Sequence, residues 1–196
     1  MDAELLAGLA AFALVTSITP GPNNLMLMAS GANFGFRRSV PHMLGIGIGF
    51  TFMIVVVGAG LAELFARYPL VHVALKAASV LYLLYLAWRI ARAAPPAPGQ
   101  AGGRPFGFFQ AAAFQWVNPK AWAMALTAVT VYTVSRGIGE VLVVACLFGA
   151  INLPSVSLWT LLGQALRRFL GDPRRLRRFN VAMALLLILS LYPVLS

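Results

Sequence analysis

The stretch Thr19-Pro20-Gly21-Pro22-Asn23-Asn24 interrupts a long apolar run at a point where a helix would otherwise continue. Each proline removes a backbone donor and crowds the preceding turn, so two prolines flanking a glycine predict a break. Two asparagines follow at once. In hydrocarbon, bared backbone and polar side chains are tolerated only where they are buried in protein or line a wet cavity. The stretch therefore predicts a broken membrane helix.

The composition around this stretch is that of a membrane protein. The chain has 196 residues, of which 60% are hydrophobic and 10% are charged, and its mean hydropathy is +0.83. Soluble domains are about half apolar and about a quarter charged. The net charge of +10 does not indicate a nucleic-acid partner, because the arginines fall in short loops between apolar runs, as membrane topology requires.

The apolar runs predict one all-α polytopic domain, residues 1–196, with six transmembrane helices. Its two halves cover about 1–92 and 106–196, joined by an exposed linker at 93–105. Because each half has three spans, the second half starts from the opposite membrane face, and any similarity between halves is an inverted repeat. The runs cover roughly 5–32, 42–65, 70–91, 106–133, 138–166 and 179–195.

Arginine placement predicts the orientation. Of the 15 Lys and Arg residues, eleven lie in the loops after the first, third and fifth runs, whereas the loops after the second and fourth hold only Arg67 and Arg136. Arginine-rich loops stay in the cytoplasm, so both termini are expected outside it.

The first break is a candidate binding site. A half-helix N-terminus presents free N–H groups and a partial positive charge, which favours a carboxylate. Asparagine amides both donate and accept, which suits a zwitterion, and Thr19 is expected to cap the turn. The alternative is a structural kink whose polar groups are satisfied internally. The candidate substrate-binding residues here are Thr19, Pro20, Gly21, Pro22, Asn23 and Asn24.

A second break, in the corresponding position of the other half, adds further candidates. Asn118-Pro119 is typical of a helix start, with a capping residue followed by proline at the first position, yet it lies inside an apolar run. Lys120 follows, and a charge at membrane depth suggests a functional site. It would meet a substrate carboxylate, or instead snorkel or bind backbone carbonyls. Gln115 and Trp116 lie just before the break and would line the same cavity.

Four features outside the breaks are weaker candidates. Lys76 faces either the cavity or the outer interface, and His42, beside two arginines, is expected at the interface. Asn152-Leu153-Pro154 is a third irregularity that would add a polar wall. Cys146 is expected to be a small packing residue.

Enzyme and cofactor chemistry finds no support in the residue inventory. Two scattered histidines and one cysteine supply neither a zinc site nor a redox pair, and no P-loop is present, so no metal, cofactor or ATP is expected.

The stretch Thr19-Pro20-Gly21-Pro22-Asn23-Asn24, followed by Gly31-Ala32 and Gly35, resembles the first signature of the LysE/RhtB family of bacterial amino-acid exporters. The second break, within Gln115–Ala121, is similar to the family's second signature. The resemblance implies efflux of amino acids or related metabolites across the cytoplasmic membrane, driven by the proton gradient. The stretch Leu25–Ser30 departs from the family, whose members commonly carry an acidic residue there.

We therefore expect a small-molecule exporter of the bacterial inner membrane, embedded in the lipid bilayer. Half-helix N-termini and Lys120 would hold the substrate carboxylate. The side chains of Asn23, Asn24 and Asn118 would orient the amino group and backbone of the substrate. Export of another solute and a non-transporting scaffold remain alternatives. Six helices leave little room for a wide cavity, which favours a homodimer, although no residue in the sequence supports one.

Overall fold

The computed structural model describes residues 1–61, 69–93, 104–135 and 137–192. Every regular element in these ranges is helical, as the sequence predicts. A π-helical turn, Val57–Leu61, extends the third helix, and a 3₁₀ turn, Gln115–Val117, precedes the sixth. The helices are α1 Ala3–Ile18, α2 Pro22–Phe34, α3 Phe36–Val56, α4 Pro69–Ala91, α5 Phe108–Phe114, α6 Pro119–Tyr132, α7 Ile138–Arg167 and α8 Pro173–Leu189.

Among the described residues, three helices are long and apolar enough to cross a membrane. They comprise Phe36–Leu61, Val73–Ala91 and Ile138–Arg167. The pair α1 and α2 meets the same test jointly but bends by 52°, so it is either a fourth, broken span or a re-entrant loop. The bend falls where the sequence has its paired prolines.

Helix α7 is the centre of the packing, with α1, α2 and α3 against it, while α4 packs against α8. Glycines set the approach of α2 to α7. A Cβ at Gly31 would overlap the carbonyl oxygen of Thr160, and one at Gly163 would overlap that of Met28. Helices in lipid associate through such close packing rather than through a hydrophobic drive, so this contact fixes where the first break lies.

Two predicted features of the helices are wrong. The second run was expected to begin at about residue 42, but α3 begins at Phe36 and contains Pro41; the turn before it is made by Gly35, whose φ of 82° favours glycine. Asn152-Leu153-Pro154 was expected to be irregular, yet α7 runs through it from Ile138 to Arg167. A single proline removes one helical hydrogen bond, and 30 residues of otherwise regular helix tolerate that loss.

Two side-chain placements also differ from expectation. Cys146 is exposed, because the buried face of α7 follows Val141, Val144, Ala145 and Phe148 and leaves position 146 outside it. His42 is only 2% exposed, since it shares the inward face of α3 with Met43 and Ile46. Arg67, Arg136 and most of the predicted linker (94–103) lie outside the described residues.

Candidate substrate-binding site

The first break is held in shape by an asparagine. Helix α1 ends at Ile18 with Thr19 as its C-cap, and Gly21 is the N-cap of α2. Asn24 Nδ2 donates to the carbonyl oxygens of Ser17 (2.7 Å) and Thr19 (2.8 Å), at the end of α1 where the helical hydrogen bonds stop. Thr19, which was expected to cap this turn, is the C-cap of α1, and the side chain of Asn24 bonds the carbonyl oxygens at the end of that helix.

Lys120 reaches across from the second break to the first. Its Nζ donates to Thr19 O and Thr19 Oγ1, both at 2.9 Å, and to Pro20 O at 3.3 Å. The ammonium thus lies at the C-terminal end of α1, where the helix dipole favours a cation. Gly21 makes room for it, because a Cβ there would lie 2.8 Å from Lys120 Cδ. Of the roles expected for Lys120, the structure therefore shows the binding of its ammonium to backbone carbonyl oxygens.

The second break leaves an acceptor open. Asn118 is the N-cap of α6 and Pro119 its first residue, but the Asn118 side chain caps no backbone N–H. Asn118 is 2% exposed, and its Oδ1 has no hydrogen-bond partner among the described residues. A buried acceptor without a partner loses about 1–3 kcal/mol of hydration, so it marks a place where a donor is expected to bind.

An amide pair joins the two breaks. Asn23 Nδ2 donates to Gln115 Oε1 at 2.9 Å, and Gln115 Nε2 returns a bond to Asn23 Oδ1 at 3.2 Å. Gln115 Nε2 also donates to Ala111 O at 2.8 Å. The pair fixes the start of α2 beside the start of α6.

A narrow cavity lies where these elements meet. The empty space is about 330 Å³, and the volume open to the centres of water molecules is about 20 Å³, enough for about one or two waters. Asn152 Oδ1, from α7, is a second buried acceptor without a partner in the described part of the chain, although Asn152 Nδ2 donates to Ser17 Oγ at 3.1 Å. The lining residues are Thr16, Ser17, Gly21, Asn23, Asn24, Phe50, Asn118, Lys120, Ala121, Met124, Asn152 and Val156.

The cavity wall offers both kinds of group that a zwitterion needs. The first turns of α2 and α6 both border it, and the first N–H groups of a helix have no intrahelical partner, so two positive helix ends and the Lys120 ammonium face one space. The oxygens of Asn118 and Asn152 supply acceptors for an amino group.

Half of the ten candidates from the sequence line this cavity: Gly21, Asn23, Asn24, Asn118 and Lys120. The other five are not among the lining residues, although each contacts a lining residue or begins one of the two helices. Thr19 and Pro20 bind Lys120, Gln115 binds Asn23, and Pro22 and Pro119 are the first residues of their helices. Trp116 contributes its carbonyl to Trp122 Nε1 rather than to the cavity lining, and Lys76 is exposed on α4.

Thr16 and Ser17 were missed by the sequence reasoning. They lie on α1 before the break, within an apolar run, and short hydroxyl side chains are common in ordinary membrane helices. Their distance of a few residues from the first proline was the one available signal.

The polar cavity lies between the starts of α2 and α6 in a chain of apolar helices, and cavities of this kind are typical of membrane transporters. A family model described as LysE type translocator matches residues 14–190. The chain is a member of that family, so the resemblance seen in the sequence is confirmed, and the protein is a multi-pass transporter of the inner membrane rather than an enzyme.

Curated relatives cover nearly the whole chain. A cysteine/O-acetylserine efflux protein of Klebsiella pneumoniae is 33% identical over 194 residues, covering 96% of this chain and 95% of the relative. Proteins of the same name from Salmonella typhimurium and Escherichia coli are 30% and 29% identical over 191 residues, covering 96% of each chain. No solved structure matches the chain.

Proposed function

We propose that this protein exports a small amino acid, of the class of cysteine and O-acetylserine, from the cytoplasm. The observation that carries the proposal is the cavity between the breaks, where two positive helix ends and Lys120 lie with two buried amide oxygens that have no partner in the described chain. These are complementary to the carboxylate and the ammonium of one substrate. The names of the relatives give the substrate class.

In this account Thr19, Pro20, Gly21, Pro22, Asn23, Asn24, Gln115, Asn118, Pro119 and Lys120 form the site and its immediate support. The carboxylate binds at the helix N-termini beside Lys120, and the ammonium binds Asn118 Oδ1 and Asn152 Oδ1. Room for about one or two waters is too little for an amino acid. Binding therefore requires the two halves to move apart, which is the motion that alternating access needs.

The proposed architecture is six spans in two inverted three-helix repeats, within a single domain of residues 1–196. The helix order supports it: a bent pair, two long helices, a second interrupted helix in α5 and α6, and two more helices. The arginine-rich loops lie in the cytoplasm and both termini outside. The proton gradient drives export, and a homodimer is the proposed assembly.

The test is efflux from cells preloaded with amino acids by a panel of dipeptides, followed by transport in proteoliposomes with and without an imposed pH gradient. We expect faster export of cysteine or O-acetylserine by the wild type than by Asn118→Ala, and acceleration by the gradient. Equal efflux across the panel from cells with and without the protein in their membranes would remove the amino-acid assignment. Export of another solute, or a non-transporting scaffold function, would then remain as the alternatives.

A further inference from the structure

A second cavity lies at the opposite end of α2, on the side of the arginine-rich loops. It has about 510 Å³ of empty space, of which about 80 Å³ is open to the centres of water molecules, so it is roomier than the cavity at the breaks. Its polar wall comprises Ser30, Asn33, His42, Arg89 and Arg104, with Phe106 beside them. The first cavity is lined on α2 by residues up to Asn24 and the second by residues from Met26 to Phe34, so the two cavities share the helix but no lining residue.

His42 is the group in this wall with unused hydrogen-bonding capacity. Its side chain is 2% exposed, and neither ring nitrogen has a partner among the residues that the structure describes. Its polar neighbours are satisfied: Ser30 and Ser39 share a hydrogen bond of 2.9 Å, and Asn33 and Asn180 exchange two bonds of 2.9 and 3.2 Å. Burying an imidazole without a hydrogen bond costs free energy. A ligand that bonds to His42 would recover that free energy.

Two arginines bring positive charge to the same cavity. Within the described ranges neither Arg89 nor Arg104 forms an ion pair with a carboxylate. The Phe106 ring connects Arg89 to His42: its centroid lies 5.8 Å from Arg89 Cζ and 5.4 Å from the imidazole centroid. A guanidinium and an unpartnered imidazole therefore contact the same ring and line the same cavity.

We propose that this second cavity is a binding site for a small amino acid on the cytoplasmic side, separate from the site at the breaks. The guanidinium groups bind the carboxylate, since their planar fork matches its two oxygens. Neutral His42 supplies one acceptor for the ammonium and one donor for the carboxylate or a side-chain oxygen. The choice of ligand and of side rests on the proposed export function, for which this site would hold solute before it reaches the breaks.

The test uses the imidazole as its own reporter. The chain has two histidines, His42 and His72, so a His72→Gln variant labelled with ¹⁵N-histidine has signals from His42 alone. The purified protein in nanodiscs is titrated with O-acetylserine, and with its methyl ester as a matched ligand that lacks the carboxylate. We expect a saturable shift of the His42 signals with the acid and none with the ester.

Variants separate the two cavities. Asn118→Ala is expected to leave the His42 shift intact, whereas Arg89→Gln combined with Arg104→Gln weakens the apparent affinity about tenfold or more, the effect of losing one charge-assisted contact. An unchanged His42 signal at high ligand concentration overturns the second site. So does a shift that disappears in Asn118→Ala and persists in the arginine variant, which would report the breaks instead.

Failure of this proposal is distinguishable from failure of the export proposal. Efflux by the wild type without any His42 shift removes the second site and leaves the exporter intact. A His42 shift that has the expected variant pattern, in a protein that exports none of the panel, supports the second site and removes the export function.

Discussion

The two helix breaks differ in how completely their polar groups are satisfied. At the first, Asn24 and Lys120 together bond the carbonyl oxygens of Ser17, Thr19 and Pro20 at the bend. At the second, Asn118 Oδ1 is buried without a partner in the described chain. We infer that the two breaks have different roles. The first is a structural hinge held by polar side chains, and the second keeps a hydrogen-bond acceptor for a ligand.

The largest expected effect is at Lys120, which belongs to both breaks. Lys120→Met removes the only donor that Thr19 Oγ1 and Pro20 O have among the described side chains, leaves Thr19 O with Asn24 alone, and removes the cation from the cavity. Hydrogen bonds to charged groups contribute about 1.5–3 kcal/mol each. We expect efflux to fall by about a hundredfold or more and the thermal midpoint in detergent to drop.

The chain supplies a matched control, because Lys76 is its other lysine and is exposed on α4. Lys76→Met is expected to behave as the wild type in both assays, and Lys120→Arg to retain part of the stability. Normal efflux by Lys120→Met would show that the lysine serves neither break.

Asn24→Ala tests the hinge. The substitution leaves the buried carbonyl oxygen of Ser17 without its side-chain donor and leaves Thr19 O with Lys120 alone, so we expect a loss of about 1–3 kcal/mol in the free energy of unfolding. Denaturant or thermal unfolding of the purified protein measures it, together with membrane abundance in cells. A variant as stable as the wild type would mean that water replaces the asparagine and that the first break is not held by it.

Asn118→Ala tests the opposite break with the opposite expectation. Because burying Asn118 Oδ1 without a partner in the described chain costs about 1–3 kcal/mol, its removal should not lower the free energy of unfolding. Transport should nevertheless fall about tenfold, the effect of losing one substrate hydrogen bond of about 1.4 kcal/mol. A fall in stability with unchanged substrate affinity would reverse the assignment of the two breaks.

The smallest effect concerns the contact between the breaks. Asn23→Ala, Gln115→Ala and the double variant form a double-mutant cycle across the reciprocal amide pair. We expect a coupling of about 1 kcal/mol in the free energy of unfolding. Additive effects on the free energy of unfolding would indicate that the amide pair does not couple the two breaks and that each break is positioned independently.

The positions at which helices end near the prolines could be predicted from the sequence, whereas the contacts between those positions could not. Pro20, Pro22 and Pro119 act locally on the backbone, so the helix interruptions were predictable from residue type alone. The hydrogen bonds of Lys120 to residues about a hundred positions earlier, and the exposure of Cys146, depend on which face each helix turns inward. Local rules do not determine that face when nearly every position is apolar.

Pro154 and Pro41 show the limit of the same rule. Pro154 was expected to mark an irregularity, and the second run was expected to begin just after Pro41, yet each proline lies inside a continuous helix. A lone proline removes one hydrogen bond, which a long helix packed on its neighbours tolerates, whereas two prolines around a glycine act together. Asn152 became a wall of the cavity through its position on the inward face of α7, not through a break.

The most direct test of the account is protection of the cavity by substrate. Cys146 is the one cysteine of the chain, so Val156→Cys in a Cys146→Ala background places a single thiol in the cavity lining without removing a hydrogen-bonding group. Val143→Cys, on the exposed face of the same helix, is the control. The account predicts that O-acetylserine slows modification by a methanethiosulfonate reagent at position 156 and not at position 143. An equal rate with and without substrate at position 156, or no modification while transport proceeds, would contradict the assignment of the substrate site to the cavity between the breaks.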